Sequence, residues 1–239
     1  KNPDAFNPDL ASSYNNAGAL YYNLKDYPKA EEFYLKAIAL YEALASKNPD
    51  AFNPDLAMSY YNAGLLYNAL NDHAKAKEFY RKTIAIREAL ASKNPDAFNP
   101  DLAISYYNVG VLYNTLGNLS KAAQFFLKAA KLYEQLYNVS PEEYEAMLET
   151  IYNTLSEIYK TLEDKENAEE FRKKYFQLSK LPSAQVYLEI AGFYEELYGI
   201  APEQFQDGLK DTYDTLYRIY MELGETEKAE EYRKKAEAL

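Results

Sequence analysis

The chain has 239 residues, of which 48% are hydrophobic and 26% charged, a formal net charge of -11, and no cysteine. An acidic surface repels phosphate groups, which argues against nucleic acid and anionic membranes as partners. The missing cysteines exclude disulfides and thiolate chemistry and favour a reducing compartment, so we expect a cytoplasmic protein. No apolar run is long enough to span a bilayer.

Three near-identical units open the chain. The motif Lys-Asn-Pro-Asp-Ala-Phe-Asn-Pro-Asp-Leu-Ala begins at Lys1, Lys47 and Lys93, a constant period of 46 residues. Such a period predicts stacked supersecondary units, here about 1–46, 47–92 and 93–137.

Each unit reads as two helices. In the second unit, Asn53-Pro54-Asp55 predicts a helix start, with Asn53 as N-cap and Pro54 in the first turn. Asn71-Asp72 predicts its end near Leu70, and a second helix follows from about Ala74 to Ser92. The earlier Asn48-Pro49-Asp50 is interpreted as a single turn in the preceding loop.

The pattern continues more loosely after residue 137. Pro141-Glu142-Glu143 predicts a first helix, with a partner from about Lys165, in a fourth unit over 138–181. Tyr152 and its counterpart Tyr213 are 61 residues apart. Pro182 is therefore predicted to end one helix, and an additional helix is predicted over 183–198, before a last unit over 200–239. No linker rich in Gly, Ser or Pro divides the chain, so we expect a single array over 1–239.

The packing positions resemble the tetratricopeptide-repeat (TPR) pattern W-x2-L-G-x2-Y followed by A-x3-F. The second unit has Tyr60, Ala63, Gly64 and Tyr67, then Ala76 and Tyr80. The resemblance is strong in three units and weaker in the last two, where Ser156 and Tyr217 replace Gly. It implies an all-α, right-handed α-solenoid (superhelix) of antiparallel helix pairs.

The long repeats and the Tyr-x-Asn-x-Gly core resemble the kinesin-light-chain-like branch of this family, and they suggest a bacterial origin. In the wider family the first helices line a concave groove that holds peptides, and a recurring Asn grips the peptide backbone. The matching residues here are Asn16, Asn62 and Asn108, while Thr154 and Thr215 replace them in the last two units.

Differences between the first three copies fall largely on one stripe of the first helix. The predicted peptide-binding groove therefore combines the three Asn residues with Asn15, Tyr61, Tyr107, Leu65, Tyr22, Asn68 and Asn114, and with Asn153 and Arg218 in the last two units. An Asn amide has both donor and acceptor for a peptide unit. The alternative is neutral drift, with Asn residues that simply bond the neighbouring helix.

Catalytic and metal-binding patterns are missing from the sequence. His73 is the only histidine, there is no cysteine, and the clustered Glu residues lie where helix starts already explain them. We expect no enzyme activity, no cofactor and no metal site.

The predicted function is a protein- or peptide-binding scaffold or sensor segment that holds a partner's peptide in its concave groove. The alternative is a structural self-assembly module that forms homo-oligomers through exposed end repeats. The sequence does not identify the partner.

Overall fold

The computed structural model describes residues 7–239, apart from the side chains of residues 169, 176 and 180–182. The copy of the motif that begins at Lys1 starts outside the described residues. All regular elements in the described range are α-helices: α1 (Asn7–Asn23), α2 (Tyr27–Lys47), α3 (Pro49–Ala69), α4 (His73–Lys93), α5 (Pro95–Thr115), α6 (Leu119–Tyr137), α7 (Pro141–Thr161), α8 (Lys165–Ile200), α9 (Pro202–Glu222) and α10 (Thr226–Glu237).

The chain divides into two compact units, Lys1–Ser140 and Pro141–Leu239. In the first, α1 pairs with α2, α3 with α4 and α5 with α6, and each of α2 and α4 also packs on the following helix. In the second, α8 packs on both α7 and α9, and α9 packs on α10. The prediction of an all-α fold built from helix pairs is confirmed. A single array over 1–239 stays a prediction.

Close contact between the helices of a pair depends on small residues, as the repeat pattern predicts. A Cβ atom on Gly64 would lie 2.7 Å from ring carbons of Tyr80, which leaves room for glycine alone. Ala76 is fully buried, and Phe79 stacks on Tyr67 with ring centroids 5.4 Å apart. Interdigitating rings around a small-residue contact give the dense packing that holds the pair together.

The predicted start of the first helices was wrong by about one turn. The helix α3 begins at Pro49, and the Asn48 side chain accepts a hydrogen bond from the Ala51 amide at 3.3 Å. Pro54 therefore lies inside the helix. Pro54 is the sixth residue of α3, so it removes one backbone hydrogen bond from the helix. The upstream Asn-Pro-Asp is thus the functional cap.

The predicted break at Pro182 and the separate helix over 183–198 were also wrong. The backbone is helical throughout α8, which has 36 residues. A proline inside a helix costs about 3 kcal/mol. Helix α8, however, packs on both α7 and α9, which precede and follow it in the chain. Tertiary packing therefore outweighs the local cost, and the added residues lengthen a second helix.

Candidate peptide-binding site

The predicted stripe lies on α1, α3 and α5, the first helices of the three pairs in residues 7–140. Helices α1 and α3 touch directly. Tyr61, Leu65 and Tyr107 are half-buried, as are Asn15, Asn62, Asn108, Tyr22 and Asn68, while Asn16 and Asn114 are exposed. The stripe thus offers aromatic, aliphatic and amide groups to a ligand, and every one of these side chains is uncharged.

Two of the three Asn residues link neighbouring first helices. The Asn62 side-chain amide donates to Oδ1 of Asn15 at 3.1 Å. Asn108 Nδ2 donates to the Tyr61 hydroxyl at 2.8 Å and to the Ile104 carbonyl at 3.0 Å. These bonds use amide donors that the groove hypothesis assigned to a peptide. Within residues 7–239, no side-chain or backbone donor bonds the Oδ1 atoms of Asn62 and Asn108, so both remain acceptors.

A buried arginine that the sequence analysis missed supports this stripe from the second helix α4. Arg87 is only 2% exposed. Its guanidinium donates to the Asp101 carbonyl at 2.8 Å and to Ser105 Oγ at 2.7 Å, and it lies 4.8 Å from the ring centroid of Tyr61. Arg87 therefore joins Tyr61 of α3 to the first half of α5.

The electrostatics of Arg87 follow from its position. Burial lowers the pKa of the Arg87 guanidinium, and the Asp101 carboxylate, 3.7 Å away, offsets part of that shift. Burial also raises the pKa of the Tyr61 phenol, against the effect of the nearby arginine. A cation over an aromatic face is favourable when both are removed from water, so the pair fixes the ring orientation of Tyr61.

Comparison of the second helices would have revealed Arg87, because Tyr41 and Tyr133 occupy its position in the sister units. The predicted stripe rests on differences between the first helices alone. A buried charge that replaces a tyrosine in one copy out of three is a strong signal, since such a charge needs dedicated partners.

The last two predicted residues lie in the unit Pro141–Leu239. Asn153 is exposed on α7 and lines a cleft of about 1210 Å³, together with Glu157, Lys160, Arg172 and Glu222. Arg218 on α9 donates to the Asp214 carbonyl at 3.3 Å and to Thr215 Oγ1 at 3.1 Å. It is therefore held along its own helix. This charged cleft differs in chemistry from the neutral stripe of α1, α3 and α5.

The described residues contain no group of three or more His, Asp and Glu side chains placed to hold a metal ion. His73 is not a free surface group, since its Nδ1 atom is buried without a hydrogen-bond partner in this range. None of the helices in the described part of the chain combines the length and apolarity needed to cross a bilayer.

Two family models described as tetratricopeptide repeat match the chain, one over residues 9–89 and the other over residues 103–136 and 149–180. No curated protein matches the chain. The two models together cover the first four predicted units.

Several solved structures share the fold. BtubC (BKLC) from P. vanneervenii is 18% identical with a TM-score of 0.52, and the match covers 98% of this chain and 88% of that one. Aspartyl phosphate phosphatase F from Bacillus subtilis is 19% identical with a TM-score of 0.57, over 96% of this chain and 59% of that one. The apo form of RapI is 14% identical with a TM-score of 0.57, and the match covers 96% of this chain and 84% of that one.

Proposed function

Because the chain belongs to the tetratricopeptide-repeat family, whose helix pairs serve as protein-interaction scaffolds, we propose that it holds an extended peptide segment of a partner protein along α1, α3 and α5. The observation that carries this proposal is the linked stripe of Asn62, Asn108 and Tyr61. Its donors are fixed within the protein, and its amide oxygens are left for a ligand.

The chemistry of the stripe suits a peptide backbone. Each amide oxygen can accept a hydrogen bond from a backbone N–H group, which every residue except proline supplies. The half-buried rings of Tyr61 and Tyr107 give rigid contact area with one polar end. Backbone contacts would therefore supply affinity, while the residues that differ between copies would select side chains.

The residues of the stripe support ligand binding and not catalysis. One structural neighbour is an aspartyl phosphate phosphatase, yet at 19% identity this likeness reports the fold alone. The described residues provide no cluster of acids and histidine with which to activate water or hold a metal.

Self-assembly through end repeats is the second candidate. Leu20 on α1 is 58% exposed, whereas its equivalents Leu66 and Leu112 are fully buried. A second copy that covered Leu20 would form an oligomer whose population rises with concentration, which sedimentation velocity over a concentration series measures.

A display library of random linear peptides tests the leading proposal, with the selected peptides measured by calorimetry. The matched variants are Asn108→Ala and Tyr61→Phe, because both remove the same interhelical hydrogen bond while only the first removes the amide oxygen. We expect Asn108→Ala to weaken binding about tenfold or more and Tyr61→Phe to weaken it far less. Equal effects of the two variants would show that Asn108 only connects helices, and peptides that bind both variants like the parent would refute the groove.

A further inference from the structure

The second half of α8 carries an apolar stripe of five residues, three of which are exposed to solvent. Its residues are spaced alternately by four and three, which places them on one face of a helix: Val186, Ile190, Phe193, Leu197 and Ile200. Val186 is 53% exposed, Phe193 61% and Ile200 81%. Five apolar residues in register form a helix-docking surface, unlike single exposed side chains.

Hydrogen bonds identify this segment as the second helix of a repeat. The Tyr106 hydroxyl of α5 donates to Glu88 of α4, eighteen residues earlier. The Tyr213 hydroxyl of α9 donates to Glu195 of α8 at 2.5 Å, again eighteen residues earlier. Residues 183–200 therefore occupy the same position before α9 that α4 occupies before α5.

The equivalence between α4 and residues 183–200 shows which neighbouring helix the latter lack. Counted from Glu88 and Glu195, Val186 corresponds to Phe79 and Ile190 to Thr83. Phe79 and Thr83 are 9% and 0% exposed, because the first helix α3 of the same pair covers them. Aromatic residues at this position also stack on their own first helix in the other pairs, Phe33 on Tyr21, Phe125 on Tyr113, Phe171 on Tyr159 and Tyr232 on Tyr220.

No first helix precedes residues 183–200, because α8 runs into them directly from the second helix that pairs with α7. The chain thus contains a second helix whose usual cover is absent. At Val186 the open face is the one whose equivalent residue stacks on a first helix in every other pair.

The charge of the open face is reversed relative to its sister helices. A lysine one turn from the apolar stripe lies over a tyrosine of the first helix in the other pairs, as Lys82 does over Tyr60 at 5.2 Å. The corresponding lysines are Lys36, Lys128, Lys174 and Lys235. The equivalent residue in α8 is Glu189, and residues 183–200 contain three Glu and neither Lys nor Arg.

We propose that this face docks an amphipathic α-helix of another protein that carries a basic residue, and that this helix takes the place of the absent first helix. Tyr187 corresponds to Tyr80, whose ring admits only Gly64 opposite it, so the docked helix carries a small residue against Tyr187 and a basic residue against Glu189. Two copies of α8 paired through this face would bring Glu189 and Glu196 near like charges, which disfavours self-pairing.

A synthetic peptide of Pro49–Leu70 with Tyr60→Lys is the probe, because it carries the covering face of α3 and a cation for Glu189. The full chain is titrated with labelled peptide, and binding is followed by fluorescence anisotropy and by the gain in helical circular dichroism. We expect saturable binding at micromolar concentrations, together with a gain of helicity, since a short isolated helix is largely unfolded in water. A Gly64→Leu version of the peptide should bind about tenfold more weakly or not at all.

Charge exchange makes the test specific. The variant Glu189→Lys should lose affinity for the lysine peptide and gain affinity for a Tyr60→Glu peptide, by about tenfold in each case. Phe193→Glu should abolish binding, while Val139→Glu, at an exposed apolar residue outside α8, should not change it. No binding of the lysine peptide, or equal binding by Glu189→Lys, would overturn the proposal. A dimer of the chain that Phe193→Glu dissociates would overturn it in favour of self-pairing.

Discussion

Residues 7–140 and 141–239 use the same helix pair in different ways. In the first region, α2, α4 and α6 have 19 to 21 residues, and each follows a first helix of its own. In the second region, the 36 residues of α8 serve both α7 and α9. The difference shows that a repeat is complete only when a first helix covers each second helix, since lengthening a second helix leaves an apolar face open.

The two regions also differ in the surface that they present. The stripe on α1, α3 and α5 is neutral, linked by amide bonds and supported by Arg87. The open face of α8 is apolar with an acidic border. The two proposed ligands differ accordingly, an extended peptide for the first region and a helix for the second.

The largest expected effect concerns the buried charge of the first region. Arg87→Ala removes two hydrogen bonds and leaves a cavity, so we expect a loss of about 3 kcal/mol in the free energy of unfolding. The exposed Arg81→Ala on the same helix is the control and should change it by less than about 0.5 kcal/mol. Urea titration of both variants measures the difference, and equal midpoints would contradict the role given to Arg87.

A pair of glycine substitutions compares a packed contact between helices in the first region with an exposed position of α8 in the second. Gly64→Ala forces a Cβ atom to within 2.7 Å of Tyr80, and we expect it to cost about 1–3 kcal/mol. Gly192→Ala in α8 meets nothing within 4 Å and should stabilise the helix by about 0.5–1 kcal/mol. Thermal unfolding of both variants measures whether each substitution raises or lowers the stability of the protein. A loss of stability in Gly192→Ala would mean that the face of α8 at Gly192 is covered.

The smallest effect concerns alkaline pH, where the two regions should behave alike. Burial and a hydrogen bond to Glu42 raise the pKa of the Tyr60 phenol above its ordinary value of 10.0, and burial with Glu195 does the same for Tyr213. Since the raised pKa favours the neutral phenol in the fold, this stability is complete below pH 10 and is lost as the pH rises beyond it. Tyr60→Phe should unfold less steeply above pH 10 than the parent, as monitored by circular dichroism. An unchanged slope would contradict the assignment.

Much of the fold could be predicted because its signals are local and repeated. The period, the small residues Gly64 and Ala76, and the turn residues specify helix pairs without reference to distant contacts. The continuity of α8 could not be predicted in this way, since a proline signals a break while the packing that outweighs it is tertiary. The true cap Asn48 competes with an equivalent signal at Asn53, and residue type alone does not choose between them.

The helices that carry the proposed site could be identified from the sequence, but the contacts of its side chains could not. The variation between copies located the stripe on the first helices, yet the bond from Asn108 to Tyr61 joins residues 47 positions apart and depends on how the helices pack. Arg87 was not predicted as part of the site because it belongs to a second helix. A comparison of all positions between copies would have found it.

The side-chain amide NMR signals of Asn62 and Asn108 test the central claim most directly, recorded with and without a peptide selected from the display library. We predict that both signals shift on binding, together with backbone signals of α3 and α5, while those of α2, α4 and α6 facing solvent stay unchanged. Shifts confined to the second helices, with both Asn signals unmoved, would contradict a peptide site on the first helices.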